Sequence, residues 1–312
     1  MKWPSSSAPV RRNLSMTSSG CKSYLIHKVR CARYNASVMR SLRHNLISDS
    51  SLVQETVEML RVCGGCAPAA DIADIVLKLP DLDSDVAGML VADLIKDDHR
   101  LLLRDAAMVE LNCENVEARL LYDSDFVVVD VETTGAKTPP CRITEIGAYR
   151  VTRGRIVAEF QTLVNPETII PSFIVQLTGI TDEMVKDAPF FADVAHAWLD
   201  FADEAVLVAH NAQFDVRFLN HEIARVFPGR RMANSNLCTV KLSRNIFPGL
   251  LNYRLHTVAE HFAIPIFNRH RAAGDALATA EIFLRMLDRL DQHGIRDVAG
   301  ARLFNFSSNG EC

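Results

Sequence analysis

Asp130 and Glu132 stand one residue apart at the end of the apolar run Phe126 to Val129. In an extended strand, positions i and i+2 face the same way, so both carboxylates project from one side. So close together, each raises the other's pKa unless a cation lies between them. The pair asks for a metal; a strand-end cap beside a surface acid is the plainer reading of the pair alone.

Two further acids occupy comparable places. Asp215 falls in the first turn of an expected helix carrying Phe214, Phe218 and Leu219, after the apolar strand Ala205 to Ala209. By itself it could simply complement the helix dipole, worth about 0.3–1 kcal/mol. Asp275 lies near the start of a helix whose core stripe is Leu277, Ala280, Phe283, Leu284 and Leu287. His270 precedes Asp275 by five residues. It reads as a structural residue or, with an ordinary pKa of about 6.5, as a proton acceptor.

These residues and their surroundings resemble the DnaQ-like, or DEDDh, 3′→5′ exonuclease family over residues 122–290. A D-x-E pair before Thr-Gly matches Asp130, Glu132, Thr134 and Gly135; N-x-x-F-D matches Asn211, Phe214 and Asp215; H-x4-D matches His270 and Asp275. The segment Leu177 to Val185 is similar to the family's stretch beside the scissile bond. The resemblance implies two Mg²⁺ or Mn²⁺ ions, with Asp130 shared by both, Glu132 and Asp275 on one, and Asp215 orienting the second. It implies His270 as the general base and the backbone from Thr133 through Thr134 to Gly135 as the seat of the terminal nucleotide. Thr178, Asn211, Phe214 and Arg217 complete the expected substrate contacts. The chemistry agrees: hard divalent ions take oxygen ligands, and a pair about 3.5–4 Å apart neutralises attacking and leaving oxygens.

Elements must bring these residues together. The resemblance implies an α/β fold of RNase H-like type, a mixed central sheet flanked by helices. Four strands are legible, in "FVVVDVE", "RITEIGAYRVT", "IVAEFQTLV" and "AVLVAHN", the first three close enough in sequence for an antiparallel meander.

Charge divides the rest of the chain. Residues 1–48 carry nine Lys/Arg and no acid, whereas 49–112 carry five bases against thirteen acids. The first segment is expected to be a disordered tail, with a nucleic-acid arm, a transit peptide or a mis-assigned start (Met16 and Met39 being alternatives) as other readings. In the second, three helices and a hairpin are expected, an order that resembles a small winged-helix α+β domain. Its helical stripes are read as Val53, Val57 and Leu60; Ile72, Ile75, Val76 and Leu79; and Val86, Leu90 and Leu94 beside Ala87 and Val91. Its acids, among them Asp97 and Asp98, argue for docking or packing rather than DNA contact. Residues 120–290 form the expected nuclease domain and 291–312 a weakly ordered tail. Residues 217–271 hold nine Lys/Arg against Glu222 and Glu260, which reads as a solvated face or a track for a single strand.

The main expectation is a DNA 3′→5′ exonuclease in proofreading or repair, acting on a single-stranded 3′ end and attached to a polymerase or repair complex. RNA 3′-end trimming by the same site is the second. A DNA-binding or adaptor protein with a vestigial nuclease fold is the third, against which the complete residue set speaks. No apolar run approaches the roughly 20 residues of a membrane span. Eight scattered cysteines with one CxxC, Cys63 and Cys66, read as reduced thiols, and a cytoplasmic location is expected.

Overall fold

The computed structural model describes residues 45–105, 107–112 and 116–304. The expected tail therefore lies outside the described residues up to position 44. Its last four residues are a correction: strand β1, Leu46–Ser48, pairs antiparallel with β9, Arg230–Met232. Ile47 is buried, and Asn45 Nδ2 donates to the Leu199 carbonyl at 2.5 Å, which fixes the segment on the main domain.

An N-terminal unit follows, made of α1 Ser51–Val62, β2 Cys66–Pro68, α2 Ala69–Ile75, α3 Ser84–Ile95, β3 Leu101–Arg104 and β4 Met108–Leu111. The three strands form an antiparallel sheet in the order β2-β4-β3. Val53, Val57, Leu60, Ile72, Val91 and Val109 make its own core. Asp83 caps α3 by accepting from Asp85 N at 2.9 Å. The stripe on α3 matches the expected one only on its Ala87 and Val91 side. Ala87, Gly88, Val91 and Ile95 are buried, while Val86 and Leu90 are exposed. Ala87, Val91 and Ile95 join the core of the unit. On the α2 side, Ile72 and Val76 are buried but Ile75 and Leu79 are exposed. Asp98 serves packing: it is buried, with Arg100 Nη2 at 2.8 Å and Ser48 N at 3.0 Å.

The main domain runs β5 Asp125–Thr133, β6 Ile143–Thr152, β7 Arg155–Leu163, α4 Ser172–Thr178, α5 Asp182–Val185, α6 Phe191–Ala202, β8 Val206–Ala209 and α7 Ala212–Val226. After β9 come β10 Asn236–Cys238, α8 Thr239–Ile246, α9 Leu255–His261, α10 Ala272–Gln292 and α11 Val298–Leu303. The sheet order is β10-β8-β5-β6-β7. β5, β6 and β7 form the antiparallel meander; β8 runs parallel to β5, and β10 parallel to β8. This is the expected RNase H-like mixed sheet. Alternate residues of β5 enter two cores, which explains its continuous apolar run. Phe126 and Val128 face α10, where the Phe126 and Phe283 rings meet edge-on at 4.9 Å. Val127 and Val129 face Trp198, Leu199 and Phe218 on α6 and α7.

The chain after Asp291 is not a loose tail as far as residue 304. Gly294, at φ +76°, turns the chain after α10, and Asp297 caps α11 by accepting from Gly300 N at 2.6 Å. Val298, Ala301 and Phe304 are buried beside α10. Leu121 N donates to the Arg296 carbonyl at 2.7 Å, tying α11 to the strand entering β5. Residues 305–312 lie outside the described part. Among the described residues no helix is long and apolar enough to cross a membrane.

Candidate active site

The site forms where β5 ends. Asp130 stands opposite Gly147 and Glu132 opposite Glu145 across the β5–β6 pair. The register shifts after Glu132, and the chain leaves the sheet through Thr133. α7 starts directly after β8, with Asn211 at φ 84° as its N-cap. That tight entry places Asp215 in the first turn, buried, with Oδ1 accepting from Val131 N at 3.1 Å. The carboxylate is thus bonded to the backbone between the two β5 acids. α10 lies against β6 at Gly147: a Cβ there would fall 2.3 Å from the Ala272 carbonyl carbon and the Ala273 nitrogen. Only a bare Cα admits that approach, and it carries Asp275 to the end of β5.

Carboxylate oxygens of Asp130, Glu132 and Asp275 lie within 4.8 Å of one another. Asp275 Oδ2 accepts from His270 N at 3.1 Å, whereas Oδ1 is buried with no hydrogen-bond partner. Burial, then the charges of Asp215, Glu132 and Asp275, hold the Asp130 carboxyl well above its ordinary range. Glu132 is pushed up to about 8 by burial and then by Asp275, Glu145 and Asp215, with Arg271 opposing. Burial raises Asp215 to about 7 against the Val131 N–H, and raises Asp275 against the His270 N–H and ring. All four acids shift the same way, so the site disfavours its own ionisation and gains from positive charge. An oxygen-only donor set with an orphaned buried oxygen fits a hard divalent cation.

His270 is half-buried, at φ 60°, in the turn before α10. Thr133 and Thr134 are buried in the turn after β5: Thr133 Oγ1 donates to the Gly135 carbonyl at 2.7 Å, and Thr134 Oγ1 accepts from Arg142 N at 3.0 Å. Thr178 Oγ1 donates to the Ile174 carbonyl at 3.0 Å. Phe214 packs on Phe218 at 4.8 Å, and the Arg217 guanidinium lies over both rings while Nη2 donates to the Ala136 carbonyl at 2.9 Å. Arg217 therefore pins the turn after Gly135.

The expected basic track is dispersed. Arg230 pairs with Asp97 at 3.0 Å, and Arg231 reaches Gln54 Oε1 at 2.9 Å, so the acidic N-terminal unit covers both. Arg225 pairs with Glu222 and Glu167, and Arg244 lies over the Tyr253 ring.

Sequence reasoning missed the supports of the site. Arg142 Nε and Nη2 clamp both oxygens of buried Glu222 at 2.6 and 3.0 Å, while its backbone brackets Thr134. This ties the turn after β5 to α7. Glu145, fully buried, bonds the start of α10. An acid inside "ITEIGAY" was its only signal. His210 bridges Thr239 Oγ1 and the Tyr253 carbonyl, each at 2.9 Å, and burial lowers its pKa to about 4. As a neutral ring, its Nε2–H donates to that carbonyl and Nδ1 accepts from the hydroxyl.

Converging carboxylates at the end of the central strand of such a sheet define a carboxylate-centred hydrolase of the nuclease class. Residues 127–283 match the RNase_T exonuclease family, and the chain belongs to it. A PolC-type DNA polymerase III from Caldanaerobacter subterraneus subsp. tengcongensis is 45% identical over 183 residues, 59% of this chain and 13% of that one. The DNA polymerase III subunit epsilon of Aquifex aeolicus is 39% identical over 178 residues, 57% of this chain and 88% of that one. The nuclease domain of 3′hExo, a DEDDh family member solved with rAMP, shares 23% identity at a TM-score of 0.46, covering 56% of this chain and 94% of that one. The chain thus spans about an eighth of the PolC-type relative and most of the epsilon subunit. The family match starts at residue 127 and leaves the N-terminal unit outside it.

Proposed function

We propose that this exonuclease removes nucleotides from the 3′ end of DNA with two divalent ions, Mg²⁺ or Mn²⁺, in proofreading or repair. The observation that carries the reading is the convergence of Asp130, Glu132 and Asp275 within 4.8 Å, with Asp215 bonded to the backbone between the first two. Asp130, Glu132 and Asp275 would hold one ion, and Asp130 with Asp215 the other. When bound, such ions neutralise charge on the attacking and leaving oxygens. Asp130 belongs to both groups, so its loss outweighs that of any other residue. His270 takes the proton of the attacking water, a role typically worth about 10²–10⁴-fold.

The turn from Thr133 through Thr134 to Gly135 receives the terminal nucleotide, its shape held by Arg142 and Arg217. Asn211 and Phe214 at the start of α7 are proposed as further contacts, Phe214 being held by Phe218 and Arg217. Thr178 is proposed as a further substrate contact. The epsilon subunit and PolC-type relatives carry DNA polymerase III in their names, which supports a polymerase or repair assembly as partner. The winged-helix-like unit at 49–112, net acidic, serves packing and docking rather than DNA contact.

Digestion of 3′-labelled single-stranded DNA, duplex DNA and RNA in Mg²⁺ tests the reading. Release of labelled mononucleotide fastest from single-stranded DNA is expected. A clear preference for RNA would replace the DNA assignment with 3′-end trimming of RNA.

A further inference from the structure

We propose that Glu145, a β6 residue outside the carboxylate set, is the positioning residue for His270. The inference rests on the reading of His270 as proton acceptor and adds how that side chain is held. α10 lacks a local cap: Arg271, at its N-cap, makes no side-chain capping bond. The neighbouring strand supplies one. Glu145 Oε2 accepts from Ala272 N at 3.0 Å and from Arg271 Nε at 2.9 Å, and Oε1 accepts from Arg271 Nη2 at 2.8 Å. Three donors from the start of α10 converge on this fully buried carboxylate. Two-pronged charged contacts of this kind fix orientation as well as distance.

His270 is the residue immediately before that clamp. Its backbone is left-handed, at φ 60°, and its N–H is bonded to Asp275 Oδ2. Such a conformation is uncommon for a non-glycine residue. The surroundings are tight: a Cβ on Gly274 would lie 2.0 Å from the Phe267 carbonyl oxygen, so the turn leading into α10 closes on itself. The Glu145–Arg271 clamp fixes one side of His270 and the Asp275 bond the other. Glu145 is also the register partner of Glu132, so one strand pair sets both the metal ligand and the base. Its oxygens are occupied by Arg271, Ala272 and, at 3.3 Å, Gln161 Nε2. Glu145 therefore acts through His270.

The test uses the full chain. Glu145→Gln preserves size but offers one acceptor oxygen and turns an NH₂ toward donors. Single-turnover digestion of a short single-stranded oligonucleotide should slow by about 10–100-fold, with oligonucleotide Kd changed less than about threefold. Added to His270→Ala, the substitution should slow the reaction less than about threefold further, because a missing side chain cannot be misplaced. Multiplying losses, or a wild-type rate in Glu145→Gln, would overturn the proposal. Arg271→Lys keeps the charge but removes the two-pronged contact; it should give the same pattern at smaller amplitude and serves if Glu145→Gln fails to fold. A readout without activity separates this inference from the nuclease reading. The His270 Cε1–H NMR resonance, assigned by its loss in His270→Ala, should shift or broaden in Glu145→Gln. A moved resonance in a chain that digests no 3′ end would keep the positioning role and discard the nuclease reading. An unmoved resonance overturns the positioning role whatever the activity.

Discussion

Glu132 and Asp215 should titrate in an accessible range, their carboxyls being pushed up to about 8 and about 7. Both shifts are upward. Between the ordinary carboxylate range, about 4, and those raised values, the folded chain holds protons that the unfolded chain has lost. Stability of the metal-free protein should therefore fall as pH rises from about 4 to 8. Binding of a divalent ion to the ionised carboxylates reverses that loss, so saturating Mn²⁺ should raise Tm more at pH 8 than at pH 6. Equal shifts at both values in thermal melts would remove the carboxylates from the binding site. By the same logic Asp130→Asn, which deletes one buried charge, should raise the metal-free Tm at pH 8 while abolishing digestion. His270→Ala should slow digestion by about 10²–10⁴-fold with Mn²⁺ affinity nearly unchanged, as calorimetry would report. The proposed ligands Asp130, Glu132, Asp215 and Asp275 were legible in the sequence because they fall in a recognisable pattern at a strand end and in first helical turns. Glu145, Arg142 and Glu222 were not, because each matters through a partner 79–127 positions away that only the folded sheet brings near.

Among the elements, α10 against β6 decides the geometry of the site. Gly147→Ala would drive a Cβ into the Ala272 and Ala273 backbone and push away the helix that carries Asp275. Overpacking of this kind costs typically about 1–3 kcal/mol. Urea unfolding should show a lowered midpoint, and digestion should fall more steeply than stability, since the displaced helix holds a ligand. A variant with the wild-type rate would show that Asp275 does not depend on that contact. β5 and β8 were readable because strands buried on both faces appear as unbroken apolar runs, whereas in the largely exposed β7 only Phe160 is buried. On α3 the expected Ala87 and Val91 are buried, but the larger Val86 and Leu90 beside them lie on the exposed side. α11 escaped notice because six residues give too little periodicity, and its burial depends on α10 lying alongside.

Over the whole molecule, opposite charge joins the two units: the acidic N-terminal unit meets the basic stretch of the nuclease at Asp97–Arg230 and Asp49–Arg231, beside the β1–β9 strand pair. Reversing both arginines, Arg230→Glu with Arg231→Glu, should speed protease cleavage between β4 and β5, while digestion of short oligonucleotides changes by less than about threefold. A large loss of digestion would make the unit part of the catalytic domain's working surface. The regional charge asymmetry was plain in the sequence, but which arginines it would cover was not, since β9 and its turn gave no apolar signal. The account as a whole stands on one polarity of attack through one carboxylate centre. The measurement that tests it most directly is a time course of 5′-labelled single-stranded DNA with the full chain, in Mg²⁺, in EDTA, and with Asp130→Ala. The account predicts a ladder shortening stepwise from the 3′ end in Mg²⁺ alone, with no products in EDTA or from the variant. Immediate release of labelled mononucleotide from the 5′ end, or a ladder of wild-type intensity in EDTA or from Asp130→Ala, would contradict it.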